Sequence, residues 1–383
     1  MKIEIELKFG SFDLPKRSQS MSKSSFLVSV LLLIVFVSGI LAADMEAVKT
    51  SGVIYLDYIY DVNDFGKGDG FNKFDLERAY VTFDSKISDS AKIRVRTDVY
   101  NNTKSVSFTA DGKDIRVGSY YDGWAVRIKN AYVDLNLIPM TTISVGLIGT
   151  PWIPTVEKAW GYRFVKSTFP DAVKLFASAD LGVSLAFKIP QNYGEFVIAV
   201  LNGNGYSKIE DDKYKDIVPR ITINPLPNDD ILKGLSMSGY YYLGKKASGD
   251  DSVDKTRAGG LLSFNYDFIN IGGEFETSKD ADVNGMGFSV FGDVKLAKFL
   301  PSPLNNLGIL GRFDSWDANT DKDDDAHTVL IVGLIYSITK NVNAVINLEQ
   351  KTYEVDLHKM GIVKEETSDK STTQILAQLE AKF

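Results

Sequence analysis

The chain has 383 residues, no cysteine and a formal net charge of −7 at pH 7. The lack of cysteine excludes disulfides, thiol catalysis and thiolate metal sites, and the negative charge argues against a nucleic-acid partner. Hydrophobic residues make up 44% of the chain, yet only one apolar run approaches the roughly 20 residues that a transmembrane helix requires.

The first 43 residues have the layout of an export signal. An apolar run at 26–41 follows Lys23 and precedes two alanines, which is the three-part pattern of a secretory signal peptide. As a helix this run would be roughly 24 Å long, short of a hydrocarbon core of about 30 Å. An uncleaved N-terminal anchor is the alternative. A second methionine makes 1–20 look like an overlong start, so the signal-peptide region is 1–43 and the folded domain is expected at 44–383.

From residue 51 onward the sequence consists of short segments in which apolar and polar residues alternate, separated by turn-forming residues. No segment has the pattern of a long helix. The alternation predicts sixteen strands, at 51–61, 73–84, 91–101, 125–137, 141–149, 176–189, 192–202, 217–225, 233–244, 255–267, 270–278, 285–297, 306–316, 327–338, 342–353 and 371–383.

The segment at 371–383 shows this alternation most clearly. Ile375 and Leu379 lie on an apolar face, and Gln378 and Glu380 lie on a polar face. An amphipathic strand of this length at the edge of a soluble sandwich would leave a free edge that invites aggregation. In a membrane barrel the same strand pairs with the first strand, and no edge remains. The pattern therefore favours a closed barrel, with an edge strand of a soluble sandwich as the alternative.

The connections between the predicted strands alternate in length. Long connections are expected at 102–124, 150–175 and 245–254, and short ones at 138–140 and 189–191. The later connections mostly repeat this alternation. The exception is 297–305, which stands at a position where a short connection is expected but is longer than the others. Outer-membrane barrels combine short periplasmic turns with long external loops, whereas a soluble sandwich has no reason to do so. The sequence thus predicts an all-β fold, a transmembrane antiparallel β-barrel of about 16 strands in the outer membrane, wide enough for an aqueous channel.

Charged residues share one face of most predicted strands. In the strand at 91–101, Arg94 and Arg96 lie opposite Ile93 and Val95. A charge that faces lipid at mid-membrane costs about 2–4 kcal/mol, so the charged face is expected to line the lumen.

The strand at 125–137 does not follow this pattern. Arg127 and Lys129 share a parity with Leu135, whereas Asp134 takes the other parity. Either a bulge shifts the register within this strand, or the two basic residues lie above the bilayer.

Three stretches carry a family resemblance: FDLERAYVTFDSKI at 74–87, IRVRTDV at 93–99, and SADLGVSLAFKI followed by VIAVLNGNGY within 178–206. Because of these stretches, residues 44–383 resemble the bacterial outer-membrane porins, and within the porins they most resemble the phosphate-selective porin O/P family. The resemblance implies passive diffusion of small ions and hydrophilic solutes by a homotrimer in outer-membrane lipid, without enzymatic activity or a cofactor. That family draws in anions with rows of lumenal lysines and arginines, and this sequence departs from it in lacking an obvious lysine ladder.

Selectivity could arise on the wall or at a constriction. Acids and bases nearly cancel over the lumenal parity, but bases are concentrated on the second and third strands. In general porins the third external loop folds into the channel, and here that loop is 150–175. The candidate pore-lining or constriction residues are Arg78, Lys92, Arg94 and Arg96 on the wall, and Lys158, Arg163, Lys166 and Lys174 in the loop. A local positive excess would give a mild anion preference, and the resemblance implies that this preference is phosphate-like. Alternatively, these charges are solvated without net effect, and the acidic external loops oppose anions.

Other functions stay open on the sequence. The long loops 203–216 and 354–370 could serve a surface adhesin or receptor built on a plugged or narrow barrel. An outer-membrane enzyme could use His327 or His358, although no G-x-S-x-G, H-E-x-x-H or P-loop spacing is present. The acidic run 321–325 lacks the spacing of a calcium loop, which favours a solvated loop and predicts no metal site.

Overall fold

The computed structural model describes residues 47–63, 70–110, 113–248, 251–357, 359 and 368–383, and of residues 103–122 and 248 it describes the backbone only. The signal-peptide prediction for 1–43 and the residue His358 lie outside this part of the chain.

Sixteen strands form one closed antiparallel barrel in which each strand is hydrogen-bonded to its neighbours in sequence. The predicted fold class is confirmed. The elements are β1 Lys49–Asp61, β2 Asn72–Ser88, β3 Ala91–Ala110, β4 Lys113–Ile138, β5 Thr141–Gly149, α1 Ile153–Trp160, α2 Phe169–Ala172, β6 Ala179–Ile189, β7 Gly194–Leu201, β8 Asp216–Ile223, β9 Leu235–Ser248, β10 Asp251–Tyr266, β11 Ile269–Asp280, β12 Val283–Lys295, β13 Leu307–Asp317, β14 His327–Thr339, β15 Val342–Tyr353 and β16 Ser371–Lys382.

The barrel closes where β1 meets β16. Ile54 pairs with Ala381, and Tyr58 pairs with Ala377, in one uninterrupted antiparallel register. The prediction that the segment at 371–383 pairs with the first strand is therefore confirmed. The closure pairs the first and last strands of the sheet with each other, which is what a sheet in hydrocarbon requires.

The two faces of the barrel have inverted polarity compared with a soluble sandwich. In β13, Arg312 and Asp314 are buried towards the interior, whereas Ile309 and Phe313 are 46% and 37% exposed on the outside. The other strands repeat this alternation, so an apolar outer surface encloses a polar lumen. Among the described residues, no helix has both the length and the apolarity to cross a membrane.

A β-bulge at Lys129 resolves the irregular strand. Arg96 pairs with Asn130 and Thr97 pairs with Ile128, so Lys129 has no partner of its own on β3. As a result Lys129 and Asn130 are both buried in the lumen, although they are neighbours in sequence. Of the two readings that the sequence left open, the shifted register is correct.

The predicted long connections at 102–124 and 245–254 are wrong. β3 and β4 continue as a hairpin to the pair Ala110–Lys113, and β9 and β10 continue to Ser248–Asp251. These polar stretches adopt strand geometry because each partner strand satisfies the backbone of the other, which outweighs a weak local pattern. The alternation of loop length also fails between β11 and β12, where two residues, 281–282, connect the strands.

Candidate functional site

The connection between β5 and β6 folds into the barrel. Its side chains Trp152, Phe164 and Phe169 are 0–1% exposed, whereas a loop on the outer surface would be solvated. They pack against inward side chains of distant strands, for example Phe291 on β12 and Trp316 on β13. The sequence left open whether the loop at 150–175 enters the channel, and in the structure it lies inside the barrel.

α1 is the first ordered element of this loop. Ile153, Val156 and Trp160 are buried on one face at helical spacing. Pro154 stands in the first turn, where the missing N–H costs nothing, and Gly161 ends the helix in the left-handed conformation with φ 78°. The opposite face of α1 is left to line the channel.

Trp152 anchors the start of the loop to β11. Its indole Nε1 donates a 2.6 Å hydrogen bond to Oε1 of Glu276, and the hydroxyl of Tyr240 donates to Oε2, also at 2.6 Å. The two rings lie 4.5 Å apart between centroids. A Cβ at Gly259 would stand 2.3 Å from Glu276 Oε2, so only glycine leaves room for this arrangement. Both carboxylate oxygens of a fully buried glutamate thus have partners.

Further hydrogen bonds fix the second half of the loop to the far wall. Arg312 Nη1 donates to the Ser167 carbonyl at 2.6 Å, while its Nε and Nη2 hold Asp314 in a bidentate pair. Gln378 Nε2 donates to the Phe164 carbonyl at 3.1 Å. Because these bonds reach β13 and β16, the loop spans the lumen from the wall where it originates.

The middle of the loop is held by β11 and β12. Asn270 Nδ2 donates to the Ala159 carbonyl at 3.1 Å. The Tyr162 hydroxyl donates to Asp293, and burial together with the charge of this neighbouring carboxylate raises the pKa of Tyr162. Tyr162 therefore remains a hydrogen-bond donor across the whole physiological pH range.

Arg163, one of the predicted constriction bases, is compensated by acids. Its guanidinium lies 3.4 Å from Glu77, 3.4 Å from Glu157 and 3.5 Å from Asp171. The side chain is 12% exposed. Its charge therefore serves to hold the loop together and contributes little positive excess to the channel.

The three loop lysines differ from one another. Lys166 Nζ lies 2.5 Å from Oε1 of Glu349 on β15, so it is paired. Lys158 and Lys174 are exposed, and neither has a carboxylate partner within the described ranges. Only these last two retain an uncompensated positive charge.

Two of the predicted wall bases are also paired. Arg78 Nη1 lies 2.8 Å from Asp98, and Arg94 Nε lies 2.7 Å from Asp84. Asp98 is fully buried, whereas the Arg94 side chain is 38% exposed. Both arginines point inward, as their parity indicated, but each already has a counter-charge.

Four further inward bases complete this wall. Arg96 donates to a threonine hydroxyl at 2.9 Å, Lys92 is exposed, and neither has a carboxylate partner in the described part of the chain. Arg127 lies 2.7 Å from Asp98 and 4.0 Å from the ring of Tyr100. Arg127 and Lys129 were not among the predicted site residues, because the bulge at Lys129 concealed their inward parity. The signal that could have found them is the break in alternation itself.

The acids of the opposite wall are covered by the loop. Glu274, Glu276, Asp293 and Asp314, on β11 to β13, are at most 5% exposed. The bases on β2 to β4 are mostly more exposed. The acids of β11 to β13 are thus shielded from lumenal water, whereas Lys92 and Arg96 on β3 are not.

Metal binding and catalysis were considered at the acidic run 321–325 and at His327 and His358, of which His358 lies outside the described residues. Within the described residues, carboxylates that could hold a metal come together at 210–212, in an exposed loop, and not at 321–325. His327 begins β14 with its ring 6.2 Å from that of Tyr353.

No protein-family model and no curated protein match the sequence. By structure, the chain is similar to an anion-selective porin from Comamonas acidovorans, with a TM-score of 0.61 and 12% identity over 89% of this chain and 100% of that one. It is also similar to OmpF of Salmonella typhi in a complex with daunomycin, with a TM-score of 0.58 and 11% identity over 88% of this chain and 97% of that one. A third similar structure is OmpT of Vibrio cholerae in a trimer form, with a TM-score of 0.55 and 9% identity over 88% of this chain and 99% of that one. The chain therefore has the fold of the porins, a membrane-spanning barrel of the outer-membrane type.

Proposed function

We propose that this protein is an outer-membrane channel through which small hydrophilic solutes and ions diffuse passively, with a mild preference for anions. The observation that carries the proposal is a polar lumen, enclosed by sixteen strands and narrowed by the loop at 150–175. Barrels of this size are too wide for wall side chains alone to fill.

The unequal exposure of lumenal charges supports the anion preference. On one wall Lys92 is exposed and Arg96 is half-buried, and neither has a carboxylate partner in the described part of the chain, whereas Glu276 on the other wall is fully buried. A charge in contact with water in a low-dielectric tube acts on a passing ion more strongly than one that is already hydrogen-bonded beneath a loop. The lumen should therefore favour anions even though its acids and bases are similar in number.

Two finer features extend this proposal. A phosphate-like preference would follow if the unpaired bases act together on a multivalent anion. A homotrimer is supported by the trimer form of OmpT from Vibrio cholerae, to which the chain is similar in fold. Block of the chloride current by phosphate would test the phosphate-like preference. Light scattering of the detergent-solubilised protein would give its mass and so test the trimer.

The test is the zero-current potential of the refolded protein in a planar bilayer under a KCl gradient. We expect stable conductance steps with a potential on the chloride side. The double variant Lys92→Gln with Arg96→Gln should move the potential towards potassium, because it removes two positive charges from the lumen. Neither base has a carboxylate partner in the described residues, so the substitutions leave no buried acid without its counter-charge. Lys340→Gln, in the exposed turn between β14 and β15, removes one positive charge outside the lumen and should leave the potential unchanged.

Two other outcomes would overturn parts of the proposal. A potassium-side potential in the unmodified protein would remove the anion preference but keep the channel. Absence of conductance from protein that migrates as a heat-modifiable, folded barrel would reject the channel and favour the receptor or adhesin hypothesis.

A further inference from the structure

A cavity of about 900 Å³ lies between α1 and the inward faces of β6 to β11. α1 contributes Thr155 and Lys158 to its roof, and the bond from Asn270 to the Ala159 carbonyl fixes that roof to β11. Lys188 and Lys233, near the short turns, line its other end. The cavity thus lies on the short-turn side of the loop, with a volume in the range of small-molecule sites.

The charges that line this cavity are mostly positive. Lys158, Lys188, Lys233 and Arg220 line it, against Glu195 as the single carboxylate among its described lining residues. The three lysines are exposed and have no ion-pair partner in the described ranges. An anion that enters would meet three solvated ammonium groups without displacing a protein carboxylate from any of them.

Arg220 adds a buried donor. It is 7% exposed, and its Nη2 is held by Glu195. Its Nη1 donates to Thr222 Oγ1 at 2.5 Å, and that hydroxyl lies 2.8 Å from Ser238 Oγ. Arg220 Nε has no hydrogen-bond partner, although a buried guanidinium N–H normally has one.

Neutral hydrogen-bonding groups cover much of the remaining surface. Ser236 and Ser263 add hydroxyls, and Asn265 and Asn270 add amides, from inward-facing positions of β9, β10 and β11. Such groups can both donate to and accept from the hydroxyls of a solute, whereas a bare anion such as chloride can only accept.

We propose that this cavity is a binding site for small anions that carry several hydroxyl groups, the chemistry of a sugar acid. The carboxylate lies among the lysines, and the hydroxyls bond to the serine, threonine and asparagine side chains. This inference rests on the proposed channel function, because the site would lie on the path of the diffusing solute. A weak binding site there would concentrate one class of solute in the channel.

The experiment is a ligand-observed NMR titration of the folded barrel in detergent with three probes. Gluconate carries both charge and hydroxyls, sorbitol carries only the hydroxyls, and propionate carries only the charge. We expect gluconate to bind at least about fivefold more tightly than either control. Sorbitol lacks the attraction of a carboxylate to the lysines, and propionate lacks the hydrogen bonds of the hydroxyls; each is worth about as much as an exposed charge pair or a hydrogen bond. Equal binding of gluconate and propionate would overturn the proposal.

Two variants assign the binding to this cavity. Lys188→Gln should weaken gluconate binding about threefold to fivefold. Glu195→Gln should strengthen it, because it removes the one negative charge and frees Nη2 of Arg220. Lys340→Gln should change nothing. If Lys188→Gln and Glu195→Gln both bind gluconate as the unmodified protein does, the site is wrong.

Binding and conduction are separate readouts. Gluconate binding without conductance would support the site and reject the channel. Conductance without selective gluconate binding would retain the channel and reject the site.

Discussion

The indole of Trp152 and the carboxylate of Glu276 are joined by a 2.6 Å hydrogen bond across the lumen, between residues 124 positions apart in the chain. The glutamate is fully buried, so water cannot replace the indole. This bond commits the loop to the inside of the barrel.

Trp152→Phe should release the start of the loop. Phenylalanine retains most of the ring packing but not the donor, and an orphaned buried carboxylate oxygen costs about 1–3 kcal/mol. We expect a lower unfolding free energy in urea and a larger, noisier single-channel conductance. Trp124→Phe, on the exposed outer surface, is the matched control. Unchanged conductance in Trp152→Phe would show that other contacts are sufficient to hold the loop.

Arg163→Gln should loosen the loop through charge repulsion. It leaves Glu77, Glu157 and Asp171 close together without their shared cation. Because these acids are partly exposed, we expect a loss of about 1–2 kcal/mol instead of the larger cost at a fully buried pair. The loss should shrink as salt rises, since screening weakens the repulsion. Urea unfolding at two ionic strengths measures both effects, and a loss that salt does not alter would contradict this origin.

Deleting Lys129 should leave the barrel able to form, because Lys129 is the residue without a partner on β3. Once it is removed, Ile128 and Asn130 are neighbours in a regular strand, so Arg127 still faces the lumen and Ile128 still faces lipid. Deleting Val133, which has a partner on both adjacent strands, should instead turn over one part of β4 and place polar side chains against lipid. Heat-modifiable migration on gels distinguishes the two variants, and a Lys129 deletion that does not fold would show that the bulge itself is required.

Much of the fold could be predicted because strand periodicity is a local property. Every predicted strand exists, and the alternation of Ile375 and Leu379 with Gln378 and Glu380 identified the closing strand correctly. The extended hairpin of β3 and β4 could not be predicted, because its strands are stabilised by one another and not by a hydrophobic face.

The position of the site was suggested only by the family resemblance, and its charge balance could not be predicted. In general porins the third external loop enters the channel, but the sequence alone did not decide whether 150–175 does so; the structure has it inside. Whether a lumenal base is free depends on which acid lies beside it, and this depends on register between strands. Arg78 lies beside Asp98, whereas Arg96 lies beside Thr82. Those contacts join distant parts of the sequence, and a single bulge changes them, so no local pattern encodes them.

The barrel seam provides the last test. Gly52 and Phe383 form a doubly hydrogen-bonded backbone pair, with N···O distances of 2.9 and 3.0 Å. The Phe383 ring lies over Gly52, such that a Cβ there would stand 2.2 Å from the ring Cζ. Gly52→Ala must therefore displace the ring, at a cost of about 1 kcal/mol or more. Gly239→Ala, where a Cβ would meet nothing closer than 3.7 Å, should be tolerated.

A double-mutant cycle isolates this contact from general effects of alanine in a strand. In a Phe383→Ala background the ring is absent, so Gly52→Ala should lose most of its cost, and the two substitutions should be clearly non-additive. Urea unfolding of all four proteins in lipid vesicles gives the coupling free energy. A coupling near zero would mean that the ring moves aside freely, and the seam would then depend on its backbone hydrogen bonds alone.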